Sequence, residues 1–281
     1  MRVALAQVAP VLGDVERNLA LHEKMAQEAL DQGAALVVFP ELSLTGYFLK
    51  DLVPTVAEGL DGPMLARLRD LSRRVPLVVG FVEESPDHRF FNAAAYLEAG
   101  DVRHLHRKVY LPTYGIFDEQ RYLAPGDACR AFDAACGRTA LLICEDLWHP
   151  SLVYVAVQDG ADLLICPSAS PGRGLTRAGT FANAAAWETA NRAYAQLFTA
   201  YVLYAGRVGY EDGACFWGGS EVIGPGGEVV AKAPALAETL LIADLDRAEV
   251  RRARIANPLQ RDERLDLTLR ELRRVEAERH R

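Results

Sequence analysis

The chain has 281 residues, 50% of them hydrophobic, with a net charge of −7. That is enough apolar material for one large α/β domain, and the negative balance opposes electrostatic binding to nucleic acid or anionic membrane. No apolar run is long enough to span a bilayer, and the start, Met1-Arg-Val-Ala-Leu-Ala-Gln-Val, lacks the apolar core and cleavage site of a signal peptide, so a cytoplasmic protein is expected.

In chain order, Val3 to Val8 reads as a strand, Asp14 to Gln32 as a helix with Asp14 as its N-cap and Gly33 beyond its end, and Ala35 to Phe39 as a buried strand. This β-α-β unit ends at Pro40-Glu41. Pro63 to Arg74 reads as a helix; Leu77 to Val82, Phe90 to Leu97 and Val102 to Arg107 read as strands, with Lys108 leaving the third. The opening unit then repeats faintly. Arg138 to Cys144 matches Arg2 to Val8, and Gly160 to Ser170 matches Gly33 to Ser43, so Glu41 and Ser168 occupy equivalent strand exits. Ligands of α/β sheets gather beyond the carboxyl ends of strands, which lets both exits serve one pocket. Further on, Arg177 to Leu197 reads as an alanine-rich helix and Phe198 to Ala205 as a strand, and Ser220 to Ile223 pairs with Glu228 to Lys232 across Gly224-Pro-Gly-Gly227. The fold class is α/β. Residues 261–281 form an amphipathic helical extension to a body of residues 1–260, with Leu265, Leu269, Leu272 and Val275 on one face. That stripe needs a covering surface, either the chain's own body or a second subunit.

The chemistry centres on Cys144, which closes the apolar run Thr139-Ala-Leu-Leu-Ile-Cys and opens Glu145-Asp-Leu-Trp-His-Pro. A helix start and a neighbouring ammonium would favour its thiolate, the nucleophilic form. Attack on an amide or nitrile carbon builds negative charge, for which Lys108 and the backbone N–H of Glu145 are the natural donors. One carboxylate can protonate the leaving amine and later deprotonate water, and Glu41 is the candidate. The implied reaction is acyl transfer through a thioester, with ammonia leaving first and acid second. The five cysteines form no CxxC pair and include an odd member, which fits a reducing compartment. No metal site and no cofactor is expected. Cys166 reads as an ordinary buried thiol.

These residues carry a resemblance to a known family. A glutamate after Pro40, a lysine before Leu111-Pro112 and a cysteine at a strand end resemble the catalytic triad of the nitrilase, or carbon-nitrogen hydrolase, superfamily. The likeness runs from Val3 to about Pro258. Tyr114-Gly-Ile-Phe-Asp-Glu119-Gln-Arg-Tyr and Cys144-Glu145-Asp-Leu-Trp most resemble the glutaminase domain of glutamine-dependent NAD synthetase. The resemblance implies a four-layer α-β-β-α sandwich, a homo-oligomer, and substrate-binding roles for Tyr114, Glu119, Glu145, Ser168 and Ser170. It also implies a small-molecule amide substrate, with a glutamine-like amide favoured over an N-carbamoyl amine or another ω-amide. The chain carries no Ser-Gly-Gly-x-Asp-Ser motif, so an ammonia-accepting synthetase, if there is one, is expected as a separate partner.

Two other classes compete. A Cys-His hydrolase would use His149 as its base, although His149 lies five residues from Cys144 beside Pro150. A silent ligand-binding protein would not need Glu41, Lys108 and Cys144 together. Glu119 suits orienting Lys108 or the substrate better than transferring a proton.

Overall fold

The computed structural model describes residues 1–177 and 179–279. Its first half runs through β1 (Arg2–Gln7), α1 (Val15–Asp31), β2 (Val37–Val38), α2 (Val53–Val56), α3 (Pro63–Leu71), β3 (Leu77–Glu84), β4 (Phe90–Glu98) and β5 (Asp101–Arg107). Asp14 caps α1, its carboxylate accepting from Arg17 N at 3.1 Å, which satisfies one of the amides a first helical turn leaves unpaired. Strand β2 is shorter than the predicted Ala35–Phe39. The extended path nonetheless continues, since Ala35 N donates to Arg2 O and Phe39 N to Val78 O, each at 2.8 Å.

The second half contains β6 (Phe132–Ala134), β7 (Gly137–Leu141), α4 (Pro150–Gln158), β8 (Leu163–Ser168), α5 (Ala182–Phe198), β9 (Tyr201–Gly206), β10 (Val208–Glu211), β11 (Ala214–Trp217), β12 (Glu221–Ile223), β13 (Val229–Lys232) and β14 (Thr239–Asp244). Helix α5 corrects the sequence reading, because it starts at Ala182 and not at Arg177. Thr176 N instead donates to Thr180 O at 2.7 Å and the two threonine hydroxyls meet at 2.8 Å, a local turn that competes with helix. Ala178, inside the predicted helix, lies outside the described residues. The helix ends where Thr199 takes a left-handed conformation, so the following strand begins at Tyr201.

Two six-stranded sheets result, ordered β14-β1-β2-β3-β4-β5 and β13-β12-β9-β8-β7-β6. Strands β1, β2 and β3 are parallel, as are β7, β8 and β9, so the faint repeat is a real repeat of topology. Alternation along the strands divides the core. Val3, Leu5, Val38, Val78 and Tyr96 join Leu141, Ile143, Leu163 and Ile165 of the second sheet in one apolar cluster. Ala4, Ala6, Val37, Leu77 and Val79 turn the other way, onto Leu19, Met25, Leu65 and Leu68 of α1 and α3. Each fully buried aliphatic side chain of this kind contributes about 1.5–3 kcal/mol. With α4 and α5 contributing Val153, Trp187 and Ala195 to the first cluster, the layers are helix, sheet, sheet, helix.

Beyond β14 lie α6 (Arg247–Ala256), α7 (Leu259–Asp262) and α8 (Leu265–Arg279). Helix α8 buries none of its side chains, and Leu269 and Leu272 are 45% and 61% exposed. None of the described helices is long and apolar enough to cross a membrane.

Candidate active site

Three strand exits converge. Glu41 follows β2, Lys108 follows β5 and Cys144 follows β7. The chain turns sharply at two of them: Leu42 has φ 47° and Cys144 φ 45°, conformations that cost a side-chain-bearing residue energy and persist only where surroundings enforce them. Gly80 makes room at the first turn, because a Cβ there would sit 2.5 Å from Pro40 O and Leu42 N. Asp146 enforces the second turn and joins it to the lysine. Its Oδ2 accepts from Ile143 N at 3.0 Å and faces His106 Nε2 at 2.8 Å, while its Oδ1 accepts from Val109 N and Tyr110 N at 3.0 Å. One buried carboxylate therefore fixes the backbone on both sides of the gap between Lys108 and Cys144.

Inside, Lys108 Nζ donates at 2.7 Å to Oε1 of both Glu41 and Glu119. Glu41 Oε1 also accepts from Asn92 Nδ2, and its Oε2 from Ala169 N, each at 2.7 Å. Tyr47 donates its hydroxyl to Glu119 Oε1. On the thiol side, Ser168 Oγ donates to Cys144 Sγ at 3.3 Å and accepts from Tyr204 at 3.1 Å. Glu41 and Lys108 are each 1% exposed and Cys144 8%. The repeat's two exits do meet, since the amide just after Ser168 binds the carboxylate of Glu41.

Burial governs the electrostatics. It works against the charge on Lys108, but Glu119 and Glu41 outweigh it and hold the ammonium well above its ordinary range. Burial likewise pushes the Cys144 thiol up, Glu41 adds to the effect, and Lys108 and the Ser168 hydrogen bond only partly counter it. Burial therefore opposes the thiolate that the neighbouring ammonium is expected to favour. The helix argument fails, because Cys144–Trp148 is a short 3-10 turn and the α-helix begins only at Pro150. Glu119 is raised to about 7, first by burial and also by Glu41, with Lys108 pulling the other way.

The remaining sequence candidates divide. Glu119 and Ser168 belong to the buried cluster. Tyr114, 46% exposed, donates its hydroxyl to Glu145 Oε2 at 2.9 Å at the rim, and the Arg173 guanidinium lies 5.3 Å from the centroids of Tyr114 and Phe117. Ser170 stands apart. Its hydroxyl accepts from Trp187 Nε1 at 3.0 Å and Asn183 Nδ2 at 3.3 Å, both on α5. His149 stacks on Tyr110 with ring centroids 3.3 Å apart, which leaves the Cys-His reading without support. Tyr47, Asn92, Asp146, Arg173 and Tyr204 were not singled out in the sequence. Asn92 alone gave a signal, as one amide in the apolar run Phe90-Phe-Asn-Ala-Ala-Ala95. Among the described residues no cluster of His, Cys, Asp and Glu has the form of a metal site.

Comparison with known proteins agrees with this architecture. The carbon-nitrogen hydrolase family profile matches residues 2–255. A glutamine-dependent NAD(+) synthetase of Thermotoga maritima is 32% identical over 93% of the chain, which spans 45% of that protein's length. A chloroplastic omega-amidase of Arabidopsis thaliana is 30% identical over 94% of the chain and 73% of its own length. Among solved structures, a mutant amidase from Nesterenkonia sp. AN1 superposes with a TM-score of 0.81 at 26% identity, covering 96% of each chain; it carries the acetamide moiety of fluoroacetamide covalently at its active site cysteine. The chain belongs to the carbon-nitrogen hydrolase family, a hydrolase of carbon–nitrogen bonds.

Proposed function

We propose that this chain hydrolyses a small primary amide, glutamine-like in preference, through a thioester on Cys144. The observation that carries the reading is Lys108 held between Glu41 and Glu119 at 2.7 Å in the buried cluster that includes the thiol. Glu41 takes the proton of Cys144 as sulfur attacks the carbonyl carbon. The charge that develops on the carbonyl oxygen meets the third N–H of Lys108 and the amide of Glu145. Glu41 then gives its proton to the departing nitrogen, and ammonia leaves. Water attacks the thioester after losing a proton to Glu41, the acid departs, and the proton returns to sulfur.

A glutamine-like substrate is favoured by the rim. Glu145 offers a carboxylate to an α-ammonium group, and Arg173 a guanidinium to an α-carboxylate. The second reading, an ω-amide with a more apolar body, is favoured by a cavity of ≈ 110 Å³ that Leu42, Leu49, Val53, Ile116 and Leu123 line together with Tyr47 and Glu119. Ammonia release from glutamine, asparagine, short aliphatic amides and N-carbamoyl amines separates these. If Glu145→Gln and Arg173→Ala raise KM for glutamine about tenfold, as loss of a charge-assisted contact should, and leave butyramide unchanged, the amino-acid reading stands. Equal effects on both substrates would remove it.

The protein works in the cytoplasm as a homo-oligomer, with residues 1–260 as the hydrolase domain and 261–281 as the extension. The exposed stripe of Leu265, Leu269 and Leu272 suits a contact between subunits. A separate ammonia-accepting synthetase remains an alternative use of the reaction. In that case glutamine turnover rises when the ammonia-dependent synthetase and its acceptor substrate are added; unchanged turnover marks a free-standing amidase.

A further inference from the structure

The chemistry above leaves one buried charge pair unused. Arg207 follows β9 and Glu211 ends β10; Arg207 Nη1 donates to Glu211 Oε2 at 2.8 Å, with side chains 1% and 4% exposed. An ion pair taken out of water is favourable only when further hydrogen bonds complete it. Arg207 Nη2 donates to Pro10 O at 3.4 Å, and the bonds that complete Glu211 come from one segment. Glu211 Oε1 accepts from Tyr47 N at 2.8 Å and Phe48 N at 2.6 Å. The Arg207 guanidinium covers the ring of Phe216 at 4.1 Å, and that ring lies 6.0 Å from those of Tyr47 and Phe48. Arg207 N also donates to Ser168 O at 3.0 Å, so the pair is rooted beside the residue that binds the thiol. From the gripped segment Tyr47 reaches Glu119, and Glu119 reaches Lys108.

We propose that the Arg207–Glu211 pair is a latch that positions Tyr47 and, through it, the Glu119–Lys108 contact. The proposal rests on reading Lys108 and Cys144 as catalytic groups. Two of the three Lys108 N–H groups are spent on carboxylates, so the direction of the third depends on where Glu119 is held. A bond to a developing anion tightens as charge grows, so misdirecting it slows the chemical step and leaves substrate binding unchanged. Arg207 and Glu211 touch neither the thiol nor Lys108; they are positioning residues.

The test measures ammonia release in Glu211→Ala, Glu211→Gln, Tyr47→Phe and the corresponding double variants, with active sites titrated. In Glu211→Ala, kcat is expected to fall about tenfold with KM within about twofold, and on the Tyr47→Phe background the same change should cost less than about twofold, since the route is already cut. Should the alanine variant not fold, Glu211→Gln is read instead, with a loss of about threefold and the same dependence on background. A purely structural pair would lower thermal stability and leave kcat of the folded protein unchanged. Normal kcat in the folded Glu211→Gln variant, or an equal loss in both backgrounds, overturns the latch. Cys144→Ser is run alongside: if it stays active, the catalytic reading itself has failed, whereas an inactive Cys144→Ser beside a fully active Glu211→Gln removes the latch alone.

Discussion

The two halves of the chain build the same frame and put different atoms at its exits. In the first half β1 and β2 lie parallel, and in the second β7 and β8 do. Glu41 and Ser168 stand at matching exits, and Val8 matches Cys144. Val8 is buried, with its carbonyl accepting from Val208 N at 3.0 Å, and has no part in the site. Cys144, by contrast, sits in a strained turn against the Ser168 hydroxyl. A repeated scaffold thus brings two strand ends together, and the asymmetry of their side chains divides the labour: the first half supplies a carboxylate, the second a thiol and its hydroxyl partner.

That division can be broken experimentally. Cys144→Ser should lower ammonia release by at least about a thousandfold, because serine lacks the sulfur nucleophile that the site is arranged around. A glutamine-mimicking electrophile should label Cys144 and spare Cys166, its fully buried neighbour on β8; peptide mass spectrometry reads the outcome, and labelling of Cys166 alone would remove the assignment. Glu41→Gln and Lys108→Ala should each slow acylation about a hundredfold with circular dichroism unchanged. Ser168→Ala removes a single hydrogen bond to sulfur and should cost about tenfold or less. If Ser168→Ala and Glu41→Gln cost the same, the exits are not divided as described.

The smallest effect concerns stability. Glu119 is raised to about 7 by burial, above the ordinary carboxylate value. Between the ordinary value and about 7 the folded protein therefore keeps a proton that the unfolded chain has lost, so stability falls as pH rises through that window. Thermal midpoints at pH 5 and pH 8 should show this fall in the wild type and a smaller one in Glu119→Gln. An identical fall in both would mean that another group is responsible.

The sequence made part of this legible. Glu41, Lys108 and Cys144 each close a strand, and their chemistry could be read before any distance was known. The force opposing the thiolate could not be read from the sequence, because burial is a property of the packed fold and works against the neighbouring ammonium. Ser168 and Ser170 look alike in sequence, but β8 ends at Ser168, so strand alternation no longer governs residue 170 and it turns to α5. Asp146 was hidden for a different reason: its partners are mostly backbone amides, which every residue type carries. The alanines of the predicted helix begin in earnest only at Ala182; ahead of them Gly179, with φ 77°, and the pairing of Thr176 with Thr180 close a turn, and these decide where the helix begins.

The Asp146 clip has a dynamic consequence. Three backbone amides just beyond strands of the two sheets, Ile143 after β7 and Val109 and Tyr110 after β5, end on one carboxylate. Their protons can meet solvent only when that carboxylate lets go, so they should exchange with deuterium as a single cooperative unit. The lysine and the thiol, 36 positions apart in the chain, would then lose their alignment in the same opening event. Heat or denaturant should extinguish turnover in one step well before the sheets come apart.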